Sequence, residues 1–229
     1  MLILLEGIDG SGKSTLAELL SQWLARSERS TQVLRNSSMH FDASAIEARA
    51  SHLRQLLWPP STEEQVNDVM GTHYYLFLHA AWATVVQNHR IAPLEAAGTS
   101  AILDGSHYRV IAKAHIRSRL DKPWLFTLFG EAPKPDLVIL LDIDPRLAWH
   151  RRPQFKPSEL GRWDGYETAD AFDAYVGYQE QIRQELRDFA AQLDWLVVPQ
   201  SGEPPAAILD RIVSHDRWQQ FLRERPVER

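Results

Sequence analysis

Gly7 and Gly12, with four residues between them and Lys13, Ser14 and Thr15 directly after, spell G-x-x-x-x-G-K-S. This is the phosphate-binding P-loop. Its glycines let the backbone turn tightly, so that N–H groups around Gly10, Ser11 and Gly12 face phosphate oxygens. Lys13 can reach the β- and γ-phosphates, and the Ser14 hydroxyl can ligate Mg²⁺. A helix that opens at this point adds its positive dipole end. Asp9 lies inside the loop and can orient a phosphoryl acceptor or serve as its base. Two more chemical clusters follow. Arg109 and Lys113 are four residues apart, hence on one face if helical, and fit either a clamp for an acceptor's phosphate or carboxylate or a solvated basic face. The run from His150 to Arg162 holds Arg151, Arg152, Lys156 and Arg162 among prolines and a glycine. It fits a lid over phosphates at about 151–163, or an exposed loop.

The elements that must position these groups are read from apolar spacing. Residues 2–5 form a continuous apolar run, as a central parallel strand would. Leu16, Leu19, Leu20, Trp23 and Leu24 recur at helical spacing over 14–27. A strand is expected at 31–35, and the polar stretch from Asn36 to Phe41 after it is an acceptor wall or a solvated connection. A helix over 43–57 stops at Trp58-Pro59-Pro60. Ser61-Thr62-Glu63-Glu64 reads as the cap of a long helix rich in Tyr74, Tyr75, Phe77 and Trp82, ending near Ala92-Pro93. That aromatic helix serves as core or dimer surface, or as a wall on which a planar base stacks. A short strand at 100–103 delivers Asp104 to the sheet's edge, and loop passes into helix across 105–113. After a passage interrupted by Pro123, Pro133 and Pro135, residues 136–142 form a buried strand, and Pro145 opens a helix. A helix over 168–193, a strand at 195–198 and a helix over 206–222 complete the chain. Strands alternating with helices predict one α/β domain over 1–229, a parallel sheet sandwiched between helical layers.

The chain has 229 residues, no Cys and a formal charge of −5. It is long enough to bury a core without staples. Thiolate metal sites and thiol catalysis are excluded, and broad phosphate neutralisation on a nucleic acid is disfavoured. No leader peptide and no apolar run of membrane-spanning length is found, so a soluble cytoplasmic protein with no membrane partner is expected. The nine histidines show no metal-ligand spacing. Asp142 and Asp144 read as a helix cap more than as metal ligands.

Taken together, the loop at 5–15, the stretch from Ala81 through Pro93 to Asp104, the strand Asp136 to Asp142 with Pro145, and the basic run to Arg162 resemble the thymidylate kinase family of P-loop kinases. The resemblance spans most of the chain. It implies ATP and Mg²⁺ as donor and cofactor, Asp9 near the acceptor's sugar, Arg151 packed on the adenine, a lid in the basic run, and a homodimer through the aromatic helix. Three positions depart from the family. Gly105 stands where an Asp-Arg pair has its arginine, Ala83 and Thr84 stand where an arginine meets the acceptor, and His79 stands where a phenylalanine stacks on thymine. The acceptor is therefore expected to diverge from thymidine monophosphate, with Asp9, His79, Arg109 and Lys113 binding it.

The expected reaction is in-line transfer of the γ-phosphoryl group of ATP to a nucleoside monophosphate or nucleoside. Lys13, Asp9, Asp104 and Arg162 are the expected catalytic residues. Gly10, Ser11, Gly12, Lys13, Ser14, Thr15 and Arg151 hold the nucleotide, and Ser14 with Asp104 holds the metal. Because Ser11 supplies no charge in the loop, a lid cation is expected to neutralise the transition state, with Arg152, Lys156 and Arg162 the candidates. A kinase of some other hydroxyl metabolite and a regulatory P-loop switch are the alternatives.

Overall fold

The computed structural model describes residues 1–27, 29–59, 69–152 and 154–225. Five parallel strands stand in the order β2-β3-β1-β4-β5. They are β1 (Leu2–Glu6), β2 (Thr31–Arg35), β3 (Ser100–Asp104), β4 (Leu137–Ile143) and β5 (Leu196–Gln200). Every residue of β1 and of β4 is buried, which is why both read as unbroken apolar runs. Leu4 pairs with Leu103 on one side and with Val138 on the other, so β1 is the centre of the sheet.

Period-two alternation divides the core between the two faces. Leu2, Leu4, Leu103, Val138 and Leu140 pack on one side with α2 (Ser44–Leu57), α3 (Thr72–Val86), α5 (His107–Ser118) and α8 (Ala171–Gln192). Ile3, Leu5, Ile102, Ile139 and Leu141 pack on the other with α1 (Lys13–Ala25), α9 (Pro205–Ser214) and α10 (Asp216–Arg223). The result is the expected three-layer α/β/α sandwich. No described helix is long and apolar enough to cross a membrane.

Several boundaries differ from the sequence reading. The expected cap at Ser61 to Glu64 lies outside the described residues. The aromatic helix does not end at Ala92-Pro93. It widens into a π turn, Gln87–Ile91, and continues as α4 (Ala92–Ala96). The Ala92 N–H returns to the Gln87 carbonyl, five residues back, and the wider turn accommodates a proline that has no N–H to give. The proline-interrupted passage contains α6 (Lys122–Leu128), with Asp121 as its cap and Pro123 in the first turn, where a proline is tolerated. Pro145 opens α7 (Pro145–Trp149), capped by Asp144, whose Oδ1 accepts from Arg146 N at 2.7 Å. α8 starts at Ala171 rather than 168, because the Asp170 side chain takes the Phe172 N–H. The closing helix is two helices, broken where extended His215 caps the second.

Candidate active site

β1 ends at Glu6 and the chain turns through the loop into α1, so the loop lies at the C-terminal edge of the central strand, where open α/β sheets bind ligands. Gly10, at φ +83°, would hold a side chain only with strain. A Cβ there would lie 3.1 Å from the Ala148 carbonyl oxygen and 3.2 Å from the Tyr175 hydroxyl. Lys13 is buried, and its Nζ donates to the carbonyls of Gly7 and Ile8 at 2.8 Å each and to Ser11 Oγ at 3.4 Å. Burial and then Arg109 lower its pKa, against Asp9, Asp104 and Glu6. Ser14 Oγ donates to Asp104 Oδ2 at 2.6 Å, so the expected metal pair is brought together by the β1–β3 pairing. A hydroxyl beside a carboxylate is a hard-oxygen set suited to Mg²⁺. No described group of three or more His, Cys, Asp or Glu could form an all-protein metal cage, and Mg²⁺ seldom needs one when phosphates and water complete its shell.

Arg151 lies over the loop. Its Nη1 donates to the Ser11 carbonyl at 3.3 Å and to Gln200 Oε1 at 2.8 Å, while Gln200 Nε2 donates to the same carbonyl at 3.1 Å.

On the other side of the loop Asp9 is nearly enclosed. Arg109 Nη1 donates to its Oδ1, and Gln179 Nε2 approaches its Oδ2 at 3.4 Å. The Tyr175 hydroxyl donates to the Asp9 carbonyl, and Asp9 N donates to Gln179 Oε1 at 3.2 Å. Burial pushes the Asp9 pKa up, but Arg109, Lys113, Lys13 and Arg152 outweigh it and hold the carboxyl well below the usual carboxylate range. Arg109 and Lys113 both face this cleft from α5, as their spacing predicts. Burial depresses the Lys113 pKa. Ser106 caps α5, its hydroxyl accepting from Tyr108 N at 3.2 Å. The cap is tied in turn to Glu6, whose Oε1 accepts from Ser106 N at 3.0 Å and Ser106 Oγ at 2.7 Å. Burial raises the pKa of Glu6 despite Arg109.

His79 is 8 % exposed and edge-on to two rings, Tyr75 at 4.3 Å and Trp58 at 5.7 Å between centroids. Burial, then Lys113 and Arg109, depress its pKa to about 3, so the imidazole is neutral at any working pH. Its Nε2 has no hydrogen-bond partner among the described residues. Trp82 Nε1 donates to Asn36 Oδ1 at 2.9 Å, and Asn36 Nδ2 donates to the Gly105 carbonyl at 2.9 Å, which joins α3 to the ends of β2 and β3. Gly105 itself is at φ +77°, a turn in which an arginine would be strained.

Asp9, Lys13, Asp104, Arg109, Lys113 and His79 line one cleft of about 900 Å³ that runs from the loop to the aromatic wall. A side pocket of about 220 Å³ continues it past Trp58, Tyr75 and Lys113. Arg152 lines the cleft and is held by Glu159 Oε1 at 2.9 Å. Arg162 does not line it. Its Nη1 is spent on the carbonyls of Tyr166 at 2.8 Å, Glu167 at 3.3 Å and Ala169 at 2.7 Å, which fixes the turn before α8. Arg162 is therefore not among the expected catalytic residues that the fold brings to the cleft. Asp142 is likewise occupied away from the loop, by Arg183 at 2.6 Å and Arg187 at 2.7 Å.

A family model described as thymidylate kinase matches residues 5–160. A probable thymidylate kinase of Pyrococcus horikoshii is 35 % identical over 190 residues, 82 % of either chain. The chain belongs to the thymidylate kinase family. It is thus an ATP-dependent phosphotransferase of the nucleotide kinase class. Similarity extends to a probable thymidylate kinase of Thermococcus kodakarensis, 32 % identical over 93 % of this chain and 96 % of the relative. It reaches a thymidylate kinase of Danio rerio, 26 % identical over 86 % and 81 %.

Membership in the family does not bring out every residue that shapes the cleft. Glu6, Gln200 and Gln179 escaped the sequence reading. Gln179 left one signal, an amide inside the otherwise apolar stripe of α8.

Proposed function

We propose that the protein transfers the γ-phosphoryl group of ATP to a nucleoside monophosphate whose base is not thymine. The observation that supports it most directly is the Asp9–Arg109 pair, with Lys113 on the same helix face, inside the cleft that holds the P-loop. Two cations lining the cleft that holds the loop suit an acceptor phosphate. A carboxylate held far below its usual pKa is a poor general base. A hydroxyl acceptor needs such a base, whereas a phosphate is already ionised at neutral pH, so a nucleoside or other hydroxyl compound is the weaker reading.

In this reading the 1–229 chain is one kinase domain with a lid at 151–163. The N–H groups of Gly10 to Thr15 and the Lys13 ammonium bind the donor's phosphates, and Arg151 packs on its adenine. Lys13 follows the charge that grows on the β/γ oxygens. Ser14 and Asp104 would hold Mg²⁺, which when bound neutralises charge between the two phosphates. Arg152, poised by Glu159, replaces Arg162 as the lid cation. Asp9 and Arg109 orient the acceptor, and neutral His79 with Trp58, Tyr75 and Trp82 offers its base a wall with a polar edge. The relatives are named for thymidylate. Gly105, Ala83, Thr84 and His79 support a different base here. The reading also includes a cytoplasmic homodimer through α3, on which Phe77 is 55 % exposed.

The test is ADP release from ATP and Mg²⁺ across a panel of nucleosides, nucleoside monophosphates and hydroxyl metabolites. Release is expected to be slow alone, to rise many-fold with one or more monophosphates, and to rise less with thymidine monophosphate. Stimulation by nucleosides alone, or only by a macromolecule, would overturn the reading in favour of a nucleoside kinase or a switch.

A further inference from the structure

We propose that Gln179 is a positioning residue that couples the Arg152–Glu159 arm to the carboxylate of Asp9, so that the donor-side cation and the acceptor-side carboxylate move together. Gln179 is fully buried in α8, between Tyr175 and Ile182. A buried amide is costly unless its hydrogen bonds are made, and this one makes them only to the site. Its Oε1 accepts from Asp9 N at 3.2 Å. Its Nε2 donates to the Glu159 carbonyl at 2.7 Å and approaches Asp9 Oδ2 at 3.4 Å. The orientation of the amide follows from its partners. A backbone N–H can only donate and a carbonyl can only accept, so the oxygen must face Asp9 N and the nitrogen Glu159.

The chain of contacts is continuous. The Glu159 carboxylate holds Arg152 at 2.9 Å and Lys156 N at 2.8 Å. Gln179 takes the same residue's carbonyl, and beyond it Asp9 passes to Arg109 through its other oxygen. If the Glu159 carbonyl withdraws, a buried N–H loses its partner, and the amide can recover only by turning away from Asp9. The arm and Asp9 are therefore two ends of one element with few alternative arrangements, the physical requirement for coupling. The catalytic meaning of this coupling rests on the phosphoryl-transfer reading above, but the coupling itself is measurable without any acceptor.

The experiment is a double-mutant cycle read by hydrogen exchange at the amides of residues 158–162 in the full chain without nucleotide. It compares wild type, Asp9→Asn, Gln179→Met and the double variant, each first checked for cooperative unfolding. Asp9→Asn is expected to speed exchange in this segment about threefold or more in the wild-type background and to add nothing in the Gln179→Met background. An equal effect of Asp9→Asn in both backgrounds, or none in either, overturns the proposal. Should Gln179→Met not fold, Gln179→Asn carries the same cycle, since it keeps an amide one methylene short of both partners. In turnover, with the best monophosphate from the panel, Gln179→Met is expected to lower kcat about tenfold with the KM for ATP unchanged. Acceptor-free ADP release should rise relative to transfer. A wild-type protein that no monophosphate stimulates defeats the functional reading, and the exchange cycle still decides the coupling.

Discussion

The two halves of the cleft are built differently. On the donor side, Lys13 is held by atoms two to six residues away in sequence, and Ser14 needs only the neighbouring strand. On the acceptor side, Asp9 is held by Arg109, 100 residues on, and by Gln179, 170 residues on. The cradle of Lys13 is a local backbone structure that closes at small entropic cost, even though Arg151 and Gln200 reach the Ser11 carbonyl from far along the chain. The acceptor side exists only when α5, α8 and the loop are packed together. In the proposed reading, the lysine that meets the donor's phosphates is placed by a short stretch, whereas acceptor recognition is distributed over separate elements that can change one at a time. The departures at His79, Ala83 and Gly105 all line the cleft, whereas Thr84 bonds the Ala80 carbonyl of its own helix.

The contrast can be broken or sharpened by substitution. Lys13→Ala should lower turnover by about 10³-fold or more with every acceptor, because the charge it follows is common to all transfers. A loss that depended on the acceptor would blur the division. Arg109→Ala should lower kcat/KM for the acceptor by about 10²-fold and leave the KM for ATP nearly unchanged, since it unpairs Asp9 without touching the loop's phosphate contacts. Comparable damage to both substrates would mean that the halves are not separable.

The basic run supplies a sharper comparison. Arg152→Ala should reduce turnover about 10- to 100-fold. Arg162→Ala should leave turnover within about threefold and lower the unfolding midpoint by roughly 2–4 °C through loss of its carbonyl contacts. Reversed outcomes would restore Arg162 to the chemistry.

The last effect concerns His79 and appears only when pH is lowered. Its folded pKa of about 3 is below its ordinary 6.5, so the unfolded chain binds the proton first on acidification. Its contribution to stability is intact above about pH 6.5 and is lost as pH falls towards 3, by at most about 1.4 kcal/mol per pH unit. His79→Phe should flatten the pH dependence of urea midpoints in that window. Glu6 acts in the opposite sense, because its raised pKa favours the folded state when protonated. The difference between wild type and variant isolates the imidazole. An unchanged slope would mean that His79 is not neutral and buried.

How far the site could be read from sequence follows the same division. The P-loop was legible because its function is carried by consecutive residues. Arg109 and Lys113 were legible as a pair because helical spacing alone places them on one face. The place of Arg162 was not legible because a charge in a basic run does not reveal which carbonyls lie within reach, and here the turn before α8 takes it. Gln179 was not legible as a site residue, since its partners are separated from it by the whole fold. The layers and strand types were legible throughout. The helix ends at Ala96, Ala171 and His215 were not, because a π turn and side-chain caps decide them locally.

The bond from Trp82 to Asn36 and on to Gly105 has an evolutionary consequence. Trp82 is 3 % exposed, and its indole N–H is matched by an oxygen from a different strand end. Losing Asn36 alone would strand a buried donor, and losing Trp82 alone would leave an acceptor unmatched at the end of β2. The two positions should be inherited as a unit, so that descent with a new acceptor preference would exchange both together or neither.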